Sequence, residues 1–331
     1  MRLKSLLFAI LLLATSYRLF AQQDPMYTQY MNNMQIVNPA YAGSHDAYQA
    51  ALVYRAQWVG LEGAPETLTG SFSAPIRKYN LGVGFSVLQD KIGPTETTNI
   101  NLDVSYKIKL SEKRVTLKSV SKRGGKYVVR SKKEMQGTYL SFGVKAGYNM
   151  FSINEDMLNP ENPNDPTVYG LEPSSEPDFG AGVYFYSSRF YAGFSIPKFF
   201  SKATDGETQN GQDVRFNELH YYFTTGAVFD LSSTLKIKPS MLLRMTAGAP
   251  PSIDVNALLL AYDKIWFGGG YRIGDGFVAI AQYNLTDHLK VGYSYDLATT
   301  GLFYHNNGTH EISINYDFKL KRSDQDCRMY F

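Results

Sequence analysis

Asn99-Ile100-Asn101-Leu102-Asp103-Val104-Ser105-Tyr106-Lys107-Ile108-Lys109-Leu110 is the stretch whose reading decides the fold. Ile100, Leu102, Val104, Tyr106, Ile108 and Leu110 fall on one side of an extended chain. Asn101, Asp103, Ser105, Lys107 and Lys109 fall on the other. Successive strand side chains point to opposite faces, so this is a strand with one apolar and one polar surface. The same split recurs over Tyr139–Tyr148, Leu289–Leu297 and Glu311–Phe318. Further strands are expected at Ala47–Val59, Glu66–Ile76, Tyr79–Asp90, Asp178–Ser187, Phe190–Pro197 and Glu218–Asp230. Others fall at Leu235–Thr246, Ser252–Tyr262, Ile265–Arg272 and Phe277–Asn284.

These segments make about fourteen strands, most near the roughly 9–11 residues that cross a bilayer at a tilt. The count is even, as in bacterial single-chain barrels. If the first strand runs outward, Ser187–Arg189, Leu231–Thr234, Asp263-Lys264 and Leu285–His288 are short inward turns. Phe151–Pro177, Lys198–Asn217 and Ala298–Thr309 are then long outward loops, the usual barrel arrangement. A soluble β-sandwich also alternates. The number and length of the strands, the Tyr and Phe near their ends and the closing Tyr316-x-Phe318 favour the barrel. The expected fold is therefore all-β, a transmembrane antiparallel β-barrel of about 14 strands spanning residues 47–318.

Arg2, Lys4, the apolar run Leu6–Ala14 and the small Ala21 mark residues 1–21 as a secretory signal peptide. Residues 22–46 form a periplasmic lead-in or a plug for the lumen. Residues 319–331 form a periplasmic tail. The 331-residue chain is 14% aromatic and only 19% charged, against nearer 25% in soluble domains. Its net charge of +3 argues against nucleic acid as a partner. Cys327 is the only cysteine, which rules out a disulfide framework and a cysteine metal cluster. His45, His220, His288, His305 and His310 are scattered, and only His305 and His310, flanking a Gly-Asn loop, come loosely near metal-ligand spacing, where solvated turn histidines are the expected reading. No serine elbow or phosphate-cradling loop is present. No catalytic, metal or cofactor-binding residues are assigned, and no small-molecule substrate is expected.

One inward connection stands apart. Ser111–Gln136 carries Lys113, Arg114, Lys118, Lys122, Arg123, Lys126, Arg130, Lys132 and Lys133 against Glu112 and Glu134. Strand-forming residues flank Gly124-Gly125, so a hairpin is expected there. It is either a solvated loop or a docking element for an acidic partner.

Several motifs occur in a fixed order. Gln23–Met31 is followed by Asn38-Pro39-Ala40-Tyr41-Ala42-Gly43. Then come Arg55-Ala56-Gln57-Trp58-Val59-Gly60 and Gly63-Ala64-Pro65-Glu66-Thr67. Asp90–Pro94, Tyr271-Arg272 and His310–Ile312 complete the series. Together they resemble the PorP/SprF family of the type IX secretion system. The resemblance implies an outer-membrane protein of gliding or type IX-secreting bacteria, supporting secretion or surface anchoring of a large adhesin. It also implies other type IX components as partners, and no catalysis. The basic segment 111–136 is a departure from the family pattern. A solute-selective porin is the alternative function. Trp58 is expected near the outer interface, where its ring faces lipid and its N–H finds water.

Overall fold

The computed structural model describes residues 25–45, 47–123, 126–154, 157, 173–199, 219–246 and 249–318; residues 113–123 and 126–136 are described by backbone pairing alone. The expected signal peptide and C-terminal tail lie outside the described residues.

Fifteen strands follow one another: β1 (Tyr48–Ala56), β2 (Glu66–Ile76), β3 (Leu81–Ile92), β4 (Thr95–Arg123) and β5 (Lys126–Ile153). Next come β6 (Ser174–Ser187), β7 (Phe190–Ile196), β8 (His220–Ala227), β9 (Phe229–Asp230) and β10 (Leu235–Thr246). The series ends with β11 (Ser252–Ala261), β12 (Ile265–Arg272), β13 (Gly276–Asn284), β14 (Leu289–Ala298) and β15 (Thr309–Phe318). β9 is a two-residue continuation of β8 beyond Val228, and both pair with β10. Every other strand pairs antiparallel with its neighbours in sequence. β15 returns to β1, with Tyr48 opposite Phe318 and Arg55 opposite Glu311. The result is a closed 14-strand antiparallel barrel with one short extra strand.

Closure pairs every strand edge, the only way a sheet can cross a membrane. The alternation seen in the sequence then sorts side chains between lipid and lumen. Leu102, Val104 and Tyr106 stand exposed on the outside, while Asn101, Asp103 and Ser105 are buried within. Tyr79, Tyr106, Phe190, Phe229 and Tyr262 expose aromatic rings at one end, and Tyr54, Tyr271 and Phe277 do so at the other. These are the two interfacial girdles of a membrane barrel.

The two ends differ. At the turn end the connections are 77–80, 188–189, 231–234, 262–264 and 285–288, and the paired strands ending at Arg123 and Lys126 extend on the same side. The loop end carries 154–173, 197–219 and 299–308. Some strand boundaries depart from the sequence reading for local reasons. β1 stops at Ala56 rather than Val59, because Trp58 turns the chain with φ 45°. β3 begins at Leu81 rather than Tyr79, after a 3-10 turn that ends on Asn80 in the left-handed region. β5 and β6 run into the expected loop 151–177 from both sides, which shortens it to 154–173.

The basic segment forms a hairpin. β4 and β5 pair continuously to Arg123 opposite Lys126, with a register shift at Lys109/Ser111 where the hairpin leaves the barrel wall. β3 pairs with β4 as far as Tyr106, and β6 with β5 as far as Thr138. Beyond those points the two strands have only each other. At about 3.3 Å per residue, residues 111–123 extend roughly 40 Å past the barrel.

Candidate functional site

The lumen is filled by the chain's own N-terminal segment. Thr28 to Ser44 are buried, apart from the half-buried Ile36. Their backbone forms three short helical turns, Tyr30–Asn32, Met34–Val37 and Pro39–Tyr41. So short a segment cannot hold itself folded. Its geometry is set by the walls around it.

At the loop end the segment is held by charge. Glu311 takes the backbone N–H of Thr28 on Oε2 at 2.8 Å and that of Gln29 on Oε1 at 2.7 Å. Arg55 donates to Glu311 at 3.0 Å, to Asp296 at 2.8 Å and to the Thr28 hydroxyl at 2.9 Å. Thr28 in turn donates to Asp296. Arg272 joins Asp296 to Asp254 and Asp275, and Asp254 also meets Arg244. Arg55 and Glu311 are almost wholly buried. Buried charges are tolerated only when paired and hydrogen-bonded, and this network supplies both.

The segment then crosses the lumen on hydrogen bonds to both walls. Asn32 donates to Ser313 and accepts from Lys290. Gln35 donates to Asp103 at 2.9 Å. Lys145 and Ser195 donate to the carbonyls of Ile36 and Val37. Each bond satisfies a lumen-facing or backbone polar group that water would otherwise have to reach.

The Asn38–Gly43 motif seats the segment's far end. Asn38 caps its turn by accepting from the Ala40 N–H, and it donates to the Val183 carbonyl. Pro39 occupies the first turn position, where its missing N–H costs nothing. The Tyr41 ring meets Tyr184 edge-on at 5.5 Å. Gly43 adopts φ 62° and lies against Gly82, where a Cβ on either residue would collide with the other segment's backbone. Ser105 and Lys107 donate to the carbonyls of Ala42 and Gly43. Strand glycines such as Gly82 therefore mark where this segment presses on the wall.

On its other side the segment is apolar. Met31, Met34, Val37 and Ala40 pack with Tyr184, Tyr186, Tyr191, Leu258, Leu260 and Trp266. The tyrosine rings follow one another, Tyr139 to Tyr186 and Tyr186 to Tyr184 at 5.3 Å each, then Tyr191 at 5.9 Å. This side of the segment thus sits in a close-packed hydrophobic cluster.

The remaining motif residues shape the loop-end rim. Gln57 donates its N–H to Pro65, and Val59 exchanges backbone bonds with Gly308 and Asn307. Gly60 and Gly63 take positive φ, and Gly63 accepts from the Gly93 N–H. Ala64 closes a turn onto Leu61. Trp58 is partly buried and lines a cleft at the lumen mouth with Arg272, Asp296 and Thr309. Its backbone donates to Thr309. The motif residues Asn38, Pro39, Tyr41, Gly43 and Arg55 are thus gathered on the plug and its seam, while Gln57–Pro65 lies at the rim. The basic residues 113–133 lie on the separate hairpin. Glu311, Asp296, Arg272 and Asp254 were not singled out as site residues from sequence, although the polar alternation places them inward; Gln35, on the helical turn Met34–Val37, carried no such signal.

Residues 19–118 and 127–316 match the family described as type IX secretion system membrane protein PorP/SprF. The chain belongs to the PorP/SprF family. Between residues 19 and 316 the match leaves out only 119–126, within the hairpin of β4 and β5. Family and fold together make this an outer-membrane barrel protein. No curated protein matches the sequence at a significant level. Among solved structures, the Acinetobacter baumannii outer membrane protein Omp33 aligns at 11% identity with TM-score 0.39, covering 83% of this chain and 99% of that one. A Pseudomonas aeruginosa FadL homologue aligns at 13% identity with TM-score 0.43, covering 91% and 95%.

Proposed function

We propose that this PorP/SprF protein is a non-enzymatic, non-conducting barrel that supports secretion or surface anchoring of a large adhesin-type client. The observation that carries this reading is the lumen, filled by Thr28–Ser44 and bonded to the wall on several sides. A porin needs a continuous aqueous path. A barrel stoppered by its own chain offers loops and ends instead, which suits protein binding. On this reading the loop end faces outward and meets the client, while the turn end and the basic hairpin face the periplasm. The hairpin's excess of Lys and Arg favours an acidic periplasmic partner.

The test is a mild-detergent pull-down of the tagged protein from its native outer membrane, at low salt. Recovery of one very large surface protein together with type IX components is expected. The variant Lys122→Glu/Arg123→Glu/Lys132→Glu/Lys133→Glu should lose periplasmic partners at least tenfold and keep the client. Undiminished partner recovery refutes the hairpin's role. Recovery of the barrel alone, with single-channel conductance in a planar bilayer, refutes anchoring and restores the porin reading.

A further inference from the structure

At the turn end β4 and β5 leave the barrel wall together. The last residue that β4 pairs with β3 is Tyr106, and the last that β5 pairs with β6 is Thr138. The Lys107 N–H still bonds to the Asn80 carbonyl. Past these points, as far as Arg123 and Lys126, each strand pairs on one side only among the described strands. The ribbon therefore has two open edges, one along 111–123 and one along 126–136. Each is longer than the roughly 5–6 residues of an ordinary strand.

An open edge is a row of N–H and C=O groups without strand partners, and an extended chain can pair with it. A two-stranded ribbon is barely stable by itself in water, and a third strand makes it self-supporting. Charge decides which third strand fits. Residues 111–136 carry nine Lys and Arg against Glu112 and Glu134. Two such ribbons repel, so a second copy of the chain is a poor partner. Lysine commonly guards a strand edge against unwanted pairing. That guard turns into an attraction for an extended segment rich in Asp and Glu, because opposite charges across a strand pair are favourable.

We propose that the β4–β5 ribbon takes an acidic extended segment of a periplasmic protein as its third strand, paired backbone to backbone along one of the two open edges. The proposal rests on the reading that the hairpin meets an acidic partner, and it adds how that partner is held.

The test uses the full-length protein in lipid nanodiscs, at low salt, with two fluorescent peptides. One is three repeats of Glu-Val-Thr, acidic and strand-forming. The other is three repeats of Glu-Pro-Pro, which has the same charge, lacks the N–H on its prolines and prefers polyproline II. By anisotropy the first should bind at least tenfold tighter than the second. With it bound, backbone amide exchange should slow at least fivefold within 111–123 or within 126–136, and the segment that slows names the edge. The variant Lys122→Glu/Arg123→Glu/Lys132→Glu/Lys133→Glu should weaken the first peptide at least tenfold in protein that keeps its folded mobility on an unheated gel. Equal affinity for the two peptides overturns strand addition, as does unslowed exchange or undiminished binding to the charge-reversed variant. Equal affinity, with native partners still lost from that variant in the pull-down, means that the hairpin docks by charge alone: the earlier reading stands and this one falls. Native partners retained by the variant remove both.

Discussion

The two halves of the lumen hold the same segment by opposite means. At the loop end Arg55, Asp296 and Glu311 clasp Thr28 and Gln29 through charge-assisted bonds. At the turn end Tyr184, Tyr186, Tyr191 and Trp266 press on Met31, Met34 and Val37. The ionic half is specific and brittle, since each charge depends on its partner for solvation. The aromatic half is tolerant, since its side chains relax around a loss. The ionic contacts fix where the segment lies. The apolar contacts supply the burial that keeps it there.

That contrast can be broken in order of size. Glu311→Ala removes the acceptor of two backbone N–H groups and one of the two carboxylates that pair Arg55. It should cost roughly 3–5 kcal/mol, measured as denaturant unfolding of the barrel in lipid. A change below 1 kcal/mol would mean that the ionic half is not what fixes the segment. Leu258→Ala, inside the aromatic half, should cost about 2–3 kcal/mol because neighbours partly close the gap. A loss exceeding that of Glu311→Ala would invert the comparison. Lys91→Ala breaks the pair with Glu96 at 3.4 Å, with both side chains substantially exposed. It should change stability by less than about 1 kcal/mol. A larger effect, measured the same way, would show that rim charges outside the lumen also brace the fold.

The barrel was largely legible in the sequence, because period-2 alternation states which face each residue takes. Asn101, Asp103 and Ser105 went inward and Leu102, Val104 and Tyr106 outward, as their order requires. Alternation says nothing about what lies across the lumen. Thr28 and Glu311 are 283 residues apart, and no local pattern joins them. Asn38–Gly43 stood out as a motif, but its reason lies in Gly82 and Tyr184, on strands far along the chain. Trp58 lies at the loop-end rim. Its residue type suits an interface, whereas its positive φ and its place beside Arg272 are set by the loop it turns. The hairpin of β4 and β5 was readable from Gly124-Gly125 and the flanking strand formers, since a hairpin is local.

The plugging segment also sets a parity. An even number of strands returns the chain to the end from which it started, so β1 begins and β15 finishes at the turn end. Before β1, however, the chain has already run from Thr28, beside the loop-end carboxylates, down to Gly43, beside Lys107 near the turn end. Between Thr28 and Phe318 it therefore traverses the bilayer plane an odd number of times. The seam that closes the barrel places Arg55 opposite Glu311, the two side chains that clasp Thr28 and Gln29. The seat of the segment and the seam of the barrel accordingly share the same two side chains.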